Sequence, residues 1–434
     1  MSISIKQPLP ADRKVTPANP IRAIIGNSLF PRPSSNIEYP ECDGIRGIAI
    51  LLVFWVHCSV LLHSHRPDYP IWDIFHITVY SGYYGVQLFF VLSAYLLFRS
   101  QYARISNGRK PQRLSHFIIR RFFRIAPLYY LSTLAIVLMV DTGLPANEKL
   151  KHTVLHLLFL HIFYPETAYS INSVTWSLGV EFMFYLCLPF IVLITFQLSN
   201  WKLHNSKPVT GPILGISVAI AAAFLTYSTS SLFSSSAVAF CFGILVAILS
   251  QDFSMNHGID KRIVTIIGIL ALIGIFHVHY QLYEIGKLSE EQFNQKLIEK
   301  IPLISFYYAA ALFAGSMKDH ILYPALTFMP LRLIGLFSYE IYIIHVFIIN
   351  HWATKFHFYQ GMKHFPPLIN GSLIFIATTV LAAVIHVFIS RPFVRISSNL
   401  IHGHRRDAMP YWMRCTLASF IIVTILSLFR LMKV

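Results

Sequence analysis

A chain of 434 residues that is 55% hydrophobic and only 12% charged does not have the composition of a soluble domain, in which about a quarter of the residues are charged. Its formal net charge is +16, but the lysines and arginines lie between long apolar runs. They therefore indicate membrane topology rather than nucleic-acid binding. The five cysteines are scattered and form no CxxC pair, so they predict neither a disulfide framework nor a zinc site.

The apolar runs have the length needed to cross a bilayer, about 17–25 residues, and predict an all-α polytopic membrane bundle of about 10–11 transmembrane helices. Residues 1–43 are polar and Pro-rich, and we expect a disordered cytoplasmic tail there, followed by a membrane domain over 44–396. Residues 397–434 are expected to form a basic cytoplasmic loop and an extra C-terminal helix. No signal-peptide pattern is present, so the first span would serve as an uncleaved signal. The predicted spans are 46–63, 79–98, 124–141, 174–197, 212–230, 235–250, 263–280, 302–316, 333–352, 368–389 and 414–431.

The loop between the second and third spans determines the predicted orientation. It contains no Asp or Glu, so the positive-inside rule places this loop and the N-terminus in the cytoplasm. A further apolar stretch at 152–164 is too short to cross and is expected to be a re-entrant or interfacial segment on the outer side. The basic residues of the loop are Arg99, Arg104, Arg109, Lys110, Arg113, Arg120, Arg121 and Arg124.

The first span carries two ionisable residues, which are costly in lipid and are therefore functional candidates. Arg46 and His57 are eleven residues apart, a spacing that returns to nearly the same helix face about 16 Å further along the axis. This predicts a cation at the cytoplasmic rim and an imidazole near the midplane. The structural alternative is a histidine that is hydrogen-bonded to a neighbouring hydroxyl within the bundle.

A second candidate is Glu181, which shares a helix face with Ser177 and Tyr185 by their i, i+4, i+8 spacing. The predicted topology places Glu181 about 10 Å from the outer surface. A carboxylate at that depth must be protonated, paired or wetted by a cavity. The alternative is a neutral glutamate that joins two helices by a hydrogen bond.

A late span carries a third polar stripe, made of Ser338, Tyr342 and His345, while Glu340 points elsewhere. His345 should lie near the midplane. A hydrogen-bonded seam between helices explains this stripe at least as well as catalysis does.

The basic loop ends in three arginines, Arg120, Arg121 and Arg124, among Phe and Ile residues. Arg forms bidentate hydrogen bonds to phosphate, so these residues predict a cradle for a phosphorylated ligand. Plain topology charge is an equally good reading of this feature alone. Pro127 is expected to break or kink the helix at its start.

Several histidines could in principle bind a metal ion, but interfacial polar residues are the more common case and we expect no metal site. These are His152, His156 and His161, and the pair His63 and His65. The sequence contains no Walker A loop, no GxGxxG motif and no HExxH motif.

Taken in order, these segments resemble membrane acyltransferase family 3, whose members acylate bacterial surface glycans and some small molecules. The resemblance covers roughly residues 41–396 and includes the family's Arg-x10-His spacing between Arg46 and His57. The segments that carry it are DGIRGIAILLVFWVH, SGYYGVQLFFVLSAYLL, RRFFRIAPLYY, WSLGVEFMFYL, SYEIYIIH and SRPFVR.

The resemblance implies an O-acyltransferase of a bacterial inner membrane that uses acyl-CoA, with acetyl-CoA as the expected donor and no permanently bound cofactor. The donor phosphates would meet Arg46, Arg120, Arg121 and Arg124. His57 would be the general base on an acceptor hydroxyl or, less favoured, a transient acyl carrier. Glu181 would orient the imidazole or position the acceptor, a lipid-linked or extracytoplasmic glycan. Residues expected on the acceptor side or in support are Trp176, Ser177, Ser338, Tyr342 and His345.

Some features depart from the family pattern, and two other functions stay open. Gln87 stands where an acidic residue is common in the family, which puts in doubt any role for a carboxylate in the second span. Ala94 stands where Gly is common, which puts in doubt close helix packing at that position. The soluble domain that often follows the last span is not expected here. Intramembrane His and Glu also serve proton-coupled transporters, although those usually show paired repeats. A non-catalytic membrane scaffold would leave the intramembrane His and Glu unexplained.

Overall fold

The computed structural model describes most of the predicted membrane domain, and every regular element in the described residues is helical. This confirms the predicted all-α polytopic bundle. The predicted spans at 212–230 and 414–431, and nearly all of the predicted N-terminal tail, lie outside the described residues. The described residues are 39–62, 81–140, 143–200, 232–255, 260–285, 290–317, 322–355 and 367–402.

The helices follow the apolar runs, with short helices at the connections. The α-helices are α1 (Pro40–Leu62), α2 (Gly85–Ser106), α3 (Leu114–Met139), α4 (Ala146–Leu157), α5 (Pro165–Ala168), α6 (Trp176–Asn200), α7 (Leu232–Met255), α8 (Lys261–Ile285), α9 (Glu290–Ser316), α10 (Tyr323–Leu326), α11 (Met329–Leu336), α12 (Ser338–Lys355), α13 (Pro367–Ile385) and α14 (Arg391–His402). Short 3-10 turns occur at Ser81–Tyr84 and His161–Phe163, and one π-helical turn at His386–Ser390 joins α13 to α14.

Six stretches of helix in the described part of the chain are long and apolar enough to cross a membrane. A seventh span results if α11 and α12, which are bent by 72° relative to each other, form one broken span. The first two helices, α1 and α2, have 23 and 22 residues. At 1.5 Å per residue they are about 33–35 Å long, slightly longer than the thickness of a hydrocarbon core, which is about 30 Å.

Two predicted spans begin ten or more residues inside the observed helix. The span at 302–316 belongs to α9, which begins at Glu290, and the span at 124–141 belongs to α3. The prediction began the latter span at residue 124 and expected Pro127 to break or kink it, but α3 begins at Leu114 and continues through Pro127 to Met139. Long arginine side chains can lie along a helix and keep their charged ends in water, so the basic segment extends the helix. In membrane helices, neighbouring helices and hydroxyl side chains can satisfy the carbonyl that a proline leaves free, so a proline such as Pro127 is tolerated inside a span.

The central helix of the described bundle is α2, which packs against α1, α6, α7 and α9. Helices α2 and α7 are in close contact because Gly243 of α7 faces α2. A Cβ atom on Gly243 would lie 2.7 Å from the Cβ of Ala94 on α2. The sequence put close packing at Ala94 in doubt. The structure resolves that doubt because the glycine is on the partner helix.

Helix α1 meets the start of the broken span at a similarly close contact. A Cβ atom on Gly335 of α11 would lie 1.8 Å from the carbonyl oxygen of Asp43, so no side chain fits there. This contact holds the first turns of α1 against α11, directly before the bend into α12. The residues that follow on α1 and α12, from Arg46 and Ser338 onward, therefore face a common space.

Candidate active site

A cavity of about 340 Å³ lies between α1, α2, α3, α6 and α12. Along α2 its lining runs from Val86 to Gln101, a distance of about 22 Å along the helix axis. One end is basic, and the other is formed by aromatic and hydroxyl side chains. The basic end is closed on one side by Gln101 and Gln112, where the backbone N–H of Gln112 donates to Oε1 of Gln101 at 2.9 Å.

The basic end of the cavity contains all four arginines that the sequence predicted to bind a donor: Arg46 from α1, and Arg120, Arg121 and Arg124 from α3. Arg46 forms an ion pair of 2.7 Å with Asp43, one turn earlier on the same helix. The Nε atom of Arg121 is buried and has no hydrogen-bond partner in the described part of the chain. A buried donor without a partner is costly, and so this end is suited to an anionic ligand.

The middle of the cavity contains a carboxylate cluster that is built across two helices. Oε1 of Glu181 on α6 accepts hydrogen bonds from Oγ of Ser93 on α2, at 2.7 Å, and from the hydroxyl of Tyr185, at 2.5 Å. Arg121 is close enough to interact electrostatically with Glu181 and Tyr185. Glu181 is therefore both hydrogen-bonded and open to the cavity, two of the conditions expected for a carboxylate within a span.

The aromatic end of the cavity is closed by Phe89 of α2 and Tyr342 of α12, whose ring centroids are 6.3 Å apart. The hydroxyl of Tyr342 donates to the carbonyl oxygen of Val174 at 2.7 Å and lies 2.7 Å from Oγ of Ser177. These contacts hold the tyrosine ring across the end of the cavity.

Behind Tyr342 lie two histidines that belong to different helices. His345 of α12 is fully buried, and its Nε2 atom is 3.3 Å from Nδ1 of His57 on α1. The two rings meet edge to face with centroids 4.8 Å apart. The Tyr342 ring, 5.8 Å from that of His345, separates this pair from the cavity, whose described lining includes neither histidine.

The structure therefore distributes the predicted site residues over two adjoining compartments. The arginines, Glu181, Ser177, Ser338 and Tyr342 line the cavity, whereas the His57–His345 pair lies beyond its aromatic end. The sequence suggested Glu181 as a group that orients His57, but the imidazole partner of His57 is His345. Trp176 lies outside the cavity lining, with its ring against Phe90.

Several residues of this region were not predicted from the sequence. Ser93 lies within the second-span segment SGYYGVQLFFVLSAYLL. A hydroxyl inside an otherwise apolar span was the signal that could have identified it. Gln101 and Gln112 carried no comparable signal. Glu340, expected to point away from the polar stripe, does so: its Oε1 lies 2.9 Å from Nδ1 of His386 in the π-helical turn.

The second histidine group lies at α4 and the 3-10 turn that follows it. The rings of His156 and His161 are stacked with centroids 4.0 Å apart, and both side chains are fully buried. Nε2 of His156 lies 3.0 Å from the carbonyl oxygen of Thr167, and Nε2 of His161 lies 3.2 Å from that of Thr175. Across the described residues no group of three or more His, Cys, Asp or Glu side chains could hold a metal ion. His63 and His65 lie outside the described residues.

Comparison with protein families gives one match that covers most of the chain. A family model described as an acyltransferase domain, acyltransferase family 3, matches residues 39–387. The matched range contains the whole cavity and both histidines of the His57–His345 pair.

Individual relatives of this chain share less than 30% sequence identity with it over the aligned residues. The chain is 24% identical to the O-acetyltransferase OatA of Staphylococcus aureus over 376 residues, which are 81% of this chain and 57% of the relative. It is 29% identical to the acyltransferase MdmB of Streptomyces mycarofaciens over 164 residues, 36% of this chain and 40% of that protein. A putative acetyltransferase, ORF330 of Acidianus two-tailed virus, is 29% identical over 156 residues, 35% of this chain and 40% of the relative. The alignments thus span about half the length of these relatives, and no solved structure matches the chain.

Proposed function

Because the chain belongs to membrane acyltransferase family 3, we propose that it transfers an acyl group from cytoplasmic acyl-CoA to a hydroxyl of an acceptor on the opposite side of the membrane. The observation that carries this proposal is the cavity itself. Its basic end, where the buried Nε of Arg121 has no hydrogen-bond partner among the described residues, suits the phosphates of a nucleotide-derived carrier. Its length of about 22 Å along α2 suits a long, flexible arm that reaches into the membrane.

At the donor end, Arg120, Arg121 and Arg124 bind the phosphates, and Arg46 lies where the arm enters. The arm then passes the Glu181 cluster, where a carboxylate can accept hydrogen bonds from the amide N–H groups of pantetheine. Glu181 thus positions the donor. This role follows from its hydrogen bonds to Ser93 and Tyr185 on the cavity wall.

The thioester reaches the His57–His345 pair past the aromatic end of the cavity. Phe89 and Tyr342 stand across that route. Tyr342 is held by Ser177 and Val174, so Phe89 is the side chain that must move aside when the donor is fully bound. Before that movement, the two rings would keep water in the cavity away from the histidine pair.

The chemistry assigned to His57 is general-base catalysis. The imidazole takes the proton of the acceptor hydroxyl while that oxygen attacks the thioester carbonyl and forms the new carbon–oxygen bond. The carbon–sulfur bond of the tetrahedral intermediate then breaks. The leaving thiolate of CoA takes the proton from the imidazolium, which restores neutral His57.

The acceptor enters from the outer side, and its expected identity is a lipid-linked or extracytoplasmic glycan of a bacterial inner membrane. Acetyl is the expected acyl group, which agrees with the name O-acetyltransferase of the staphylococcal relative. The family match and the basic end of the cavity both favour this function over a proton-coupled transporter, since a transporter does not need a phosphate-binding site.

The direct test compares the surface glycans of cells with and without this gene by mass spectrometry. The proposal expects a mass difference of one acyl group, and its size identifies the donor. Reconstituted protein should also release free CoA from acetyl-CoA when the acceptor is supplied. Unchanged glycans together with no release of CoA from any acyl-CoA would contradict the proposal.

A further inference from the structure

The hydrogen bonds of His345 define which of its ring nitrogens carries the proton. Nδ1 lies 2.7 Å from the carbonyl oxygen of Tyr342 and 3.2 Å from that of Ile341. A carbonyl oxygen can only accept, so Nδ1 of His345 must be the N–H donor. In the neutral ring, Nε2 of His345 then has a free lone pair, and this lone pair faces His57.

The same reasoning applies to His57. Its Nδ1 lies 2.8 Å from the carbonyl oxygen of Val53, one turn earlier on α1, and 3.3 Å from Nε2 of His345. Both neighbours are acceptors, so Nδ1 of His57 carries the hydrogen and shares it between them. The Nε2 atom of His57 makes no hydrogen bond to the described residues and keeps its lone pair.

From this chain of hydrogen bonds we infer that His345 is a positioning residue: together with the carbonyl oxygen of Val53 it accepts the Nδ1–H of His57, which leaves Nε2 of His57 as the basic atom. The inference rests on the proposed function, in which His57 is the base. It adds which atom of His57 acts and which side chain shares the proton on the opposite ring nitrogen.

The surroundings explain why a second histidine can fill this role within a membrane. His345 is completely buried, and Phe54 packs beside it with ring centroids 6.3 Å apart, so its ring cannot turn freely. A carboxylate in this place would add a buried negative charge. A neutral imidazole adds no charge. Its Nε2 lone pair still accepts the hydrogen bond from Nδ1–H of His57, and this hydrogen bond becomes stronger when His57 gains a positive charge.

The tautomer can be measured without turnover. Protein with ¹⁵N-labelled histidine, reconstituted in lipid, gives separate nitrogen signals for protonated and unprotonated ring positions, and the His57 signals are those missing in His57→Ala. The inference expects His57 to be protonated at Nδ1 and His345 also at Nδ1. A resting His57 with its proton on Nε2 overturns the inference, whatever the enzyme is found to catalyse.

Variants of His345 give an independent readout. Gln can present a carbonyl oxygen toward His57, whereas Leu cannot. His345→Leu should therefore lower kcat by about tenfold, less than the about 10²–10⁴ lost when a general base itself is removed, and His345→Gln should recover most of it. The KM for acyl-CoA should stay the same in both. His279→Gln, a buried histidine of α8 outside the site, is the control and should leave kcat unchanged. Full activity of His345→Leu, or equal losses in the Leu and Gln variants, would overturn the inference, while CoA release by the wild type would still support the proposed function.

Discussion

The hydroxyl oxygens of Ser177 and Tyr342 lie 2.7 Å apart and join α6 to α12 at the point where the cavity ends. Tyr342 also donates to the carbonyl oxygen of Val174, and its own carbonyl oxygen accepts from Nδ1 of His345. One tyrosine therefore links the wall of the cavity to the histidine pair behind it.

Replacing Tyr342 by Phe removes the hydroxyl but keeps the ring. A lost buried hydrogen bond that leaves a partner unsatisfied costs about 1–3 kcal/mol, so the variant should unfold at a lower temperature than the wild type. We expect kcat to fall several-fold because the residue beside His345 loses its tether, with unchanged donor affinity. Tyr308→Phe removes a hydroxyl that lies 3.4 Å from His279, away from the cavity, and should lose stability without losing kcat. Equal kcat in Tyr342→Phe and wild type would contradict this prediction.

Replacing Arg120, Arg121 or Arg124 by Lys keeps the charge that sets topology but removes the planar fork. A hydrogen bond to a charged group contributes about 1.5–3 kcal/mol, so each variant should bind acyl-CoA about ten- to a hundredfold more weakly. Binding of labelled acetyl-CoA to purified protein measures the effect. Arg113→Lys, which changes an exposed arginine outside the cavity lining, is the control. If the three lysine variants retain full donor affinity, these arginines set topology only.

The predicted orientation can be tested at Ser106, which is exposed at the end of α2. A cysteine introduced there, in a background without the native cysteines, should resist a membrane-impermeant thiol reagent in intact cells. A cysteine at Lys151, in the segment expected on the outer side, should react. The opposite labelling pattern would reverse the topology and move the arginine end of the cavity to the outer side.

Acid should loosen the segment that contains the stacked histidines. Burial lowers the pKa of His156 to about 3 and that of His161 to about 4, both below the ordinary value of 6.5. Above pH 6.5 the rings are neutral in both the folded and the opened segment, so their contribution to stability is fully present. Below 6.5 the opened form binds more protons, and each histidine then costs the fold about 1.4 kcal/mol per pH unit until its folded pKa is reached.

Hydrogen exchange over residues 143–175 at pH 7.5 and pH 5 measures this opening. After correction for intrinsic exchange rates, protection should be lower at pH 5, and the difference should shrink in His156→Gln. Protection that does not depend on pH would show that these histidines are not linked to the stability of the segment.

The helices and their polar faces could be predicted from the sequence because both depend on local spacing. The i, i+4 pair Glu181 and Tyr185 is hydrogen-bonded as its spacing indicates, and the rings of Tyr342 and His345 on α12 lie 5.8 Å apart. The start of α3 was wrong because arginines next to an apolar run were read as a loop, although they extend the helix.

The contacts between helices could not be predicted. His57 and His345 are 288 residues apart in the sequence, and nothing in either local pattern indicates that their rings meet. The same holds for Ser93 with Glu181 and for Glu340 with His386, which are brought together only by the packing of the bundle. Sequence spacing gives the face on which a polar residue lies, but only the packing gives its partner.

The central claim is that His57 performs the chemistry, and the most direct measurement is acyl transfer by His57→Ala in parallel with donor binding. Alanine keeps the helix and removes a polar group from the membrane, so the variant should fold and bind acyl-CoA as the wild type does. We predict that transfer to the acceptor falls by about 10²–10⁴, the usual loss when a general base is removed. His279→Ala, tested alongside, should transfer normally. Near-normal acylation by His57→Ala, with normal donor binding, would contradict the account.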